Sequence, residues 1–309
     1  MARPDFDTFK GLTFTKIVDD FKKDTNALIF FLQQQGLLAP GRYCDKCEKN
    51  MHLLNSSRCI DGKIWRCSKC KGSVSIRRGS FFEKSHLQLW QIFAFTNLWS
   101  ASCGSARGLR NTEIQSNLEI GSPRIVVDWN AFCRDVCIDY FVENPVQLGG
   151  AGVTVQIDES IFVKRKYHRG RFRKEQWVFG AYEPHTKRGL LVPVDKRDAQ
   201  TLLPIIAEHI LPGSVIWSDM WKAYNQLSSA GYHHDTVNHS RNFVDPNTGV
   251  HTNLVESMWS RAKAKFKAMN GTNRNLVGSY LVEYMWSQRF GEVPFYHFWN
   301  QVAGRYEFN

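Results

Sequence analysis

Three acidic residues stand in settings that suggest chemistry, and they lie far apart along the chain. Asp158 and Asp219 follow short apolar, β-branched runs in VTVQIDES and SVIWSDMWKAY, which predict strands. Glu256 begins a predicted helix in HTNLVESMWS. Carboxylates at two strand ends and one helix start can converge on one point, where they repel one another unless divalent cations lie between them. The pattern predicts a site for two Mg²⁺ or Mn²⁺ ions, about 3.5–4 Å apart, suited to phosphodiester chemistry.

Each carboxylate also has a purely structural interpretation. Asp158 and Asp219 could be ordinary turn residues at strand ends. Glu256 lies three residues after Asn253, which is the spacing of a helix capping box. Glu159 should point away from Asp158 if the strand continues, because successive strand side chains alternate between faces.

Basic residues accompany these acids. Lys263 and Lys267 follow Glu256 on nearly the same helical face, where they could contact a DNA backbone or simply form a solvated face. A second basic group, interleaved with Tyr167 and Phe172, is suited to phosphate contact and base stacking. Its members are Lys164, Arg165, Lys166, Arg169, Arg171, Arg173 and Lys174.

Four cysteines form two C-x-x-C pairs, Cys44 with Cys47 and Cys67 with Cys70. This spacing is typical of a structural zinc site with four thiolate ligands, and the metal would supply folding energy to a segment too small for its own core. Cys59 and His52 lie nearby and are interpreted as bystanders, although either could replace a ligand in a different arrangement.

The remaining pattern predicts the elements that position these residues. One amphipathic helix is expected over 13–36, and three helices over 81–143, the last two in a helix-turn-helix-like arrangement or a plain packing unit. After the glycine-rich stretch 149–152, strands are expected at 153–158, 176–182, 189–194, 215–219 and 232–239. Helices are expected after Asp198, over 221–229 and from Asn253. Three antiparallel strands followed by alternating helices and strands describe an α/β fold with a ribonuclease-H-like mixed sheet.

This interpretation divides the chain into five parts. An N-terminal helix occupies 1–41, a zinc ribbon 42–80 and a helical DNA-binding region 81–145. A catalytic domain occupies 151–290, and 291–309 form a C-terminal tail.

Composition narrows the class of partner. The chain has 309 residues, a formal net charge of +11 and 43% hydrophobic residues, which suffices for a packed core. The positive charge favours nucleic acid as a partner, although it could also serve solubility alone. The first 12 residues have no apolar core of a secretory signal, and the cysteine pairs suit a reducing compartment.

Several long motifs together resemble transposases of the Merlin superfamily, which are DDE enzymes related to bacterial insertion-sequence transposases. The motifs are IDESIFVKRKYHRGR, QWVFGAYE, LPIIAEHILPGSVIWSDMWKAY, VNHSRNFVDPNTGVHTNLVESMWSRAK and VVDWNAFCRDVC. The similarity covers about residues 42–290 and is strongest over 153–267. It implies a ribonuclease-H-like core with Asp158, Asp219 and Glu256 as the acidic triad, and a zinc ribbon and helical region that bind transposon ends.

The expected function is therefore cleavage at transposon ends and joining of the 3′-OH to target DNA. Double-stranded DNA is the expected partner, with at least a dimer on DNA. The alternatives are a host-recruited DNA-binding protein without catalysis, a structure-selective nuclease and a protein-interaction module. A nuclear location is expected in a eukaryotic host and a cytoplasmic one otherwise, without secretion.

Overall fold

A computed structural model describes residues 2–105, 108–163 and 175–308. The chain divides into two compact units. The first consists of Met1–Ser102, Gly108–Val136 and Phe290–Asn309, and the second of Cys103–Arg107 and Cys137–Arg289. Within the described ranges, no helix combines the length and apolar character that crossing a membrane requires.

The helices, in chain order, are α1 Phe6–Lys10, α2 Phe14–Phe21, α3 Thr25–Gln34, α4 Leu89–Ser102, α5 Asn111–Asn117, α6 Pro123–Glu143, α7 Ala199–His209, α8 Asn253–Ala268, α9 Val277–Arg289 and α10 Pro294–Arg305. The strands are β1 Tyr43–Cys44, β2 Lys49–Asn50, β3 His52–Asn55, β4 Lys63–Arg66, β5 Ser73–Ser75, β6 Leu148–Gly149, β7 Thr154–Val163, β8 Gln176–Glu183, β9 Arg188–Val194, β10 Ile210–Leu211, β11 Val215–Asp219 and β12 His233–Val237.

The N-terminal segment differs from the single helix predicted over 13–36. It forms α2 and α3, with a break before Asp24. The Asp24 carboxylate accepts a hydrogen bond from the Ala27 backbone N–H at 3.0 Å. An aspartate in this position satisfies a free N–H group at a helix start, so the sequence begins a new helix there. The prediction of one continuous helix was wrong.

Aromatic side chains fill the core of the first unit. Phe93 of α4 packs against Phe295 of α10, with ring centroids 5.1 Å apart, and Phe82 stacks on Trp299 at 5.4 Å. Residues 291–309, which sequence reasoning treats as a tail, thus contain a helix with Phe298 and Trp299 fully buried. Its start follows the ordinary rule that proline is favoured at the first helical position, here Pro294.

The predicted helices of the 81–143 region are present as α4, α5 and α6. At the start of α6, the Ser122 hydroxyl accepts a hydrogen bond from the Arg124 N–H at 3.3 Å, ahead of Pro123 at the first helical position. Cys133 and Cys137 of α6 are fully buried. Binding of DNA by this region stays a prediction.

A five-stranded mixed sheet organises the second unit, with strand order β12-β11-β7-β8-β9. Strands β7, β8 and β9 run antiparallel, whereas β11 is parallel to both β7 and β12. The mixed α/β sheet expected from the sequence is therefore present, and α7 begins after Asp198, whose carboxylate accepts from the Thr201 N–H at 3.0 Å. Apolar residues of the sheet and of α7, α8 and α9 form one core.

Two predictions for this unit are wrong: the end of the first strand and the helix over 221–229. β7 continues to Val163, so Asp158 lies within the strand and not at its end, because pairing with β8 continues from Asp158 opposite Gly180 to Ile161 opposite Trp177. The helix predicted over 221–229 is replaced by two 3-10 turns at Lys222–Tyr224 and Ser228–Ala230. The Trp221 backbone N–H donates to the Asp219 carboxylate, and its indole N–H donates to the Arg197 carbonyl oxygen. These contacts hold Trp221 in an extended conformation at the start of the segment.

Candidate active site and metal centre

Strand register places Asp158 and Asp219 beside each other. Gln156 of β7 pairs with Trp217 of β11 in a parallel ladder, and each aspartate lies two residues further along its strand. Side chains two residues apart share a face, and neighbouring strands are about 4.8 Å apart, so the two carboxylates emerge at the same level on one face. The sheet therefore brings together two of the three predicted acids.

Glu256 reaches the same region because the start of α8 is fastened to β7. The buried Gln156 side chain accepts hydrogen bonds through Oε1 from the backbone N–H groups of Leu254, at 3.0 Å, and Val255, at 3.2 Å. These N–H groups have no partner within their own helix, so Gln156 supplies the acceptor that a helix start needs. A single side chain thereby connects the strand of Asp158 to the helix of Glu256.

The cap of α8 differs from the expectation. Thr252, and not Asn253, is the capping residue, and Asn253 is the first residue of the helix. The buried Thr252 hydroxyl donates to Glu256 Oε1 at 2.9 Å, and His239 Nε2 lies 2.9 Å from that hydroxyl and 3.8 Å from Glu256 Oε1. The carboxylate of Glu256 is thus oriented by side chains and does not close the backbone capping box predicted with Asn253.

The three carboxylates interact electrostatically. Burial, followed by repulsion from Asp219 and then Glu256, raises the pKa of Asp158 from its usual 3.8 to about 7, against an opposing hydrogen bond at 2.8 Å from the Glu159 N–H. A shift of this kind means that the ionised site is costly without a compensating cation. Among the described residues, the four cysteines form a group whose possible ligand atoms all lie within 4.8 Å of one another. The three carboxylates do not form such a group, so their oxygen atoms are less tightly clustered.

Glu159 lies on the opposite face of β7, as strand alternation predicts. Burial and the charges of Asp158 and Asp219 raise its pKa to about 8, and Arg197 opposes the shift. Within the described part of the chain, its Oε1 atom is buried without a hydrogen-bond partner.

Trp259 packs beside Asp158, and a glycine makes room for it. Gly180 lies opposite Asp158 in the β7–β8 ladder, and a Cβ atom added there would overlap the Trp259 indole. The indole side chain favours the ionised form of Asp158 and so lowers its pKa, although its Nε1 has no acceptor at hydrogen-bonding distance among the described atoms. The buried Trp259 therefore connects α8, the helix that carries Glu256, to the surroundings of Asp158.

The predicted DNA-binding lysines follow Glu256 on α8. Lys263 donates a hydrogen bond to the Ser160 hydroxyl of β7 at 2.6 Å and lies 5.3 Å from the centre of the Phe162 ring. Lys267 is exposed. The basic group of Lys164, Arg165, Lys166, Arg169, Arg171, Arg173 and Lys174 lies outside the described residues.

The four predicted cysteine ligands do come together. Cys44, Cys47, Cys67 and Cys70 place their sulfur atoms within 4.8 Å of one another, and Cys44 and Cys70 are 3.6 Å apart. Backbone N–H groups of Cys70, and to a lesser extent Lys69, lower the pKa of Cys67 to about 6, whereas a hydrogen bond with Cys70 and then burial raise that of Cys47 to about 12. The cluster could hold a metal ion, and Cys59 and His52 lie outside it.

Local backbone geometry builds this cluster. The turn after each pair places a residue with positive φ, Glu48 at 53° and Lys71 at 60°, two uncommon values that reverse the chain sharply. The Glu48 N–H returns to the Cys44 carbonyl oxygen at 2.8 Å, and the Lys71 N–H to that of Cys67 at 3.1 Å. A two-stranded sheet, β1–β2, and a three-stranded sheet, β3–β4–β5, carry these turns.

Sequence reasoning missed Gln156, Thr252, His239 and Trp259. A polar Gln156 among apolar strand residues, two positions before Asp158, was the available signal for the first. Nothing in local spacing marks Trp259, because its role depends on the absence of a side chain at Gly180 in another strand.

Comparisons with known proteins show what most of the second unit is similar to. The model of a family described as an ISXO2-like transposase domain matches residues 143–290. A curated protein of Haemophilus influenzae, described as an uncharacterized transposase-like protein, is 29% identical over 102 residues, which cover 33% of this chain and 81% of that protein.

A solved structure also matches, with lower sequence identity. It is a chain of the simian T-cell lymphotropic virus intasome in complex with PP2A regulatory subunit B56 gamma, 15% identical, with a TM-score of 0.30. The match covers 56% of this chain and 63% of that one, which is less than two thirds.

The matched residues include Asp158, Asp219 and Glu256 and all five strands of the mixed sheet. Residues 143–290 are therefore similar to ISXO2-like transposase domains, in agreement with the resemblance to DDE transposases seen in the sequence.

Proposed function

We propose that this chain is an active DDE transposase, which cuts phosphodiester bonds at transposon ends and joins the freed 3′-OH to target DNA. The observation that carries the proposal is the electrostatic coupling of Asp158 with Asp219 and Glu256, contributed by β7, β11 and α8. A half-buried carboxylate such as Asp158, whose pKa is raised by burial and by two neighbouring acids, is poorly suited to a purely structural role and well suited to cation binding.

Asp158, Asp219 and Glu256 would hold two Mg²⁺ or Mn²⁺ ions through their carboxylate oxygens, which are the ligands that these hard cations prefer. When bound, the ions would supply activation of the attacking water or 3′-OH and stabilisation of the leaving oxygen. Gln156 and Thr252 would keep Glu256 in place through the contacts with the start of α8. Lys263, Lys267 and the basic group at 164–174 would bind the DNA backbone.

The strand order supports the interpretation of the sheet as a ribonuclease-H-like core. Three antiparallel strands precede two parallel ones, and the first strand lies in the middle of the sheet beside the fourth. In this arrangement the first and fourth strands carry two of the acids, Asp158 and Asp219.

Zn²⁺ is the ion that we assign to the four-cysteine cluster. Four thiolates around zinc at about 2.3 Å in a tetrahedron require sulfur atoms about 3.8 Å apart. The Cys44–Cys70 distance of 3.6 Å is close to that value. The module would then serve, with the helices of 81–145, to bind transposon ends.

The reaction brings two ends together, so at least a dimer should form on DNA. In a eukaryotic host the protein would act in the nucleus, and otherwise in the cytoplasm. Both statements follow from the proposed reaction.

A cleavage assay tests the function. The full chain is incubated with Mg²⁺ and a duplex taken from the DNA that flanks its gene, and nicking with a free 3′-OH is expected. Asp219→Ala should lower the rate by about a hundredfold or more while DNA binding persists. Asp235→Ala, which removes an exposed carboxylate from β12 of the same sheet, is the matched control and should leave cleavage intact.

If the wild-type chain binds the duplex but never cuts it, the proposed activity is wrong and the chain is a transposase-derived DNA-binding protein. If it cuts but does not join pre-cleaved ends to a second duplex, it is a nuclease without strand transfer.

A further inference from the structure

Arg197, two residues before α7, lies against two tryptophan rings. The guanidinium carbon is 3.8 Å from the centre of the Trp177 ring and 4.8 Å from that of Trp221. The indole N–H of Trp221 donates to the Arg197 carbonyl oxygen at 2.8 Å, which fixes the second ring against the same residue. Stacking on aromatic faces holds a guanidinium in one orientation and leaves its N–H edges available for hydrogen bonds.

Arg197 forms no ion pair with the residues that the structure describes. Among the described residues, no acidic group lies within 4.0 Å of its guanidinium, although Glu159 is near enough to feel its charge. Arg197 is half-buried, so its side chain remains open to solvent on one side. A fixed guanidinium with open donors is suited to a phosphate group, which accepts two parallel hydrogen bonds.

The position of Arg197 relates it to the carboxylates. The Trp221 backbone N–H donates to Asp219 Oδ1 at 3.0 Å, so the stacked ring belongs to the loop that begins at Asp219. The adjoining surface is unusually apolar for a charged site, since Met220 is 63% exposed and Trp221 38% exposed. Exposed aromatic surface beside a cation is typical of proteins that bind a nucleic-acid strand by stacking and backbone contact.

We propose that Arg197 binds a DNA phosphate next to the scissile one, with Trp177 and Trp221 holding its guanidinium in place. The proposal rests on the proposed function, because it takes the cleaved strand as the ligand. Trp221 would act as a positioning residue that couples this contact to Asp219.

The experiment pairs a protein change with a change of one phosphate. Arg197→Ala, Arg197→Lys and wild-type chains are measured for binding to the flanking duplex, with single phosphates replaced in turn by neutral methylphosphonates. We expect Arg197→Ala to weaken binding by about tenfold to a hundredfold. At one phosphate beside the cut, the methylphosphonate should weaken DNA binding by the wild-type chain by a similar factor. The same replacement should cause no further loss of affinity in Arg197→Ala, because the contact is already missing.

Arg197→Lys keeps the charge but loses the planar donors, and it should recover only part of the affinity. Lys196→Ala removes the neighbouring exposed positive charge and is the matched control, expected to show much smaller loss and normal sensitivity at that phosphate. Urea unfolding of each variant identifies any affinity loss that comes from misfolding.

Additive effects at every phosphate would overturn the proposal for Arg197, even if the wild-type chain cuts DNA normally. Conversely, a non-additive phosphate in a chain that binds but never cuts would support the contact and reject the proposed activity. Absence of all DNA binding would reject both.

Discussion

At the scale of single residues, the candidate site depends as much on neutral side chains as on acids. Asp158, Asp219 and Glu256 could be found from the sequence because each is a carboxylate beside an apolar run. Gln156 could not be assigned a role, because a glutamine in a strand has no distinctive spacing with the N–H groups of Leu254 and Val255 that it binds. Such partners become visible only once tertiary packing brings distant segments together.

Gly180 offers a test of the packing around Asp158. A Cβ atom at this position would overlap the buried Trp259 indole, and a large ring in a dense core cannot shift freely. We expect Gly180→Ala to lower the free energy of unfolding by about 1–3 kcal/mol and to slow DNA cleavage. Chemical denaturation and the cleavage assay measure the two effects.

Gly278→Ala, in α9, is the control. Its new Cβ atom would lie 3.6 Å from Pro193, which is an ordinary van der Waals distance. That change should be neutral or slightly stabilising. Adding Trp259→Leu to Gly180→Ala should restore part of the stability. If Gly180→Ala is as stable as wild type, the proposed close packing of the indole is incorrect.

At the scale of elements, strands were predicted more accurately than caps. Strand β11 matches its predicted bounds, because its apolar run ends abruptly at Asp219. Strand β7 is longer than predicted, since residues 159–163 do not alternate between polar and apolar and only their pairing with β8 shows that they continue the strand. The 13–36 segment was divided by the carboxylate of Asp24, whose capping effect outweighs the continuing apolar periodicity.

The four-cysteine cluster yields a prediction about one small module. Cys67→Ser should abolish binding of one zinc ion per chain and unfold the 42–78 segment, because metal ligation supplies the folding energy of such a module. Metal analysis and limited proteolysis give the readouts. Cys59→Ser, in the same module but outside the cluster, should keep the ion. Loss of zinc in Cys59→Ser with retention in Cys67→Ser would mean that a different set of ligands is used.

At the scale of the whole molecule, the sequence revealed the mixed sheet and the metal module, but not the grouping of segments. Residues 290–309 belong to the same compact unit as the N-terminal helices, although nearly the whole chain separates them. The sequence analysis treated 291–309 as a tail, and local periodicity could not say which segment covers Phe298 and Trp299 of α10.

The net charge of +11 leads to a prediction about salt. DNA affinity should fall steeply as salt rises, because each phosphate that the protein neutralises releases counterions. Replacing the seven basic residues of 164–174 with serine should weaken binding and reduce the slope of log K against log salt by about 0.9 for each phosphate that the variant no longer neutralises. Replacing exposed Lys10, Lys16 and Lys23 is the control and should change the slope less. An unchanged slope in the 164–174 variant would exclude that segment from the interface.

The contacts between β7 and α8 follow two different periodicities that happen to match. Gln156, Asp158 and Ser160 advance along the strand in steps of two residues, about 6.7 Å each. Their partners on the helix, Val255, Trp259 and Lys263, advance in steps of four residues, about 6.0 Å each. A one-residue deletion within either series would shift every later pair out of phase, whereas the exposed residues 240–244 lie outside both series. Relatives that keep this arrangement should therefore tolerate insertions and deletions poorly within residues 156–160 and 255–263.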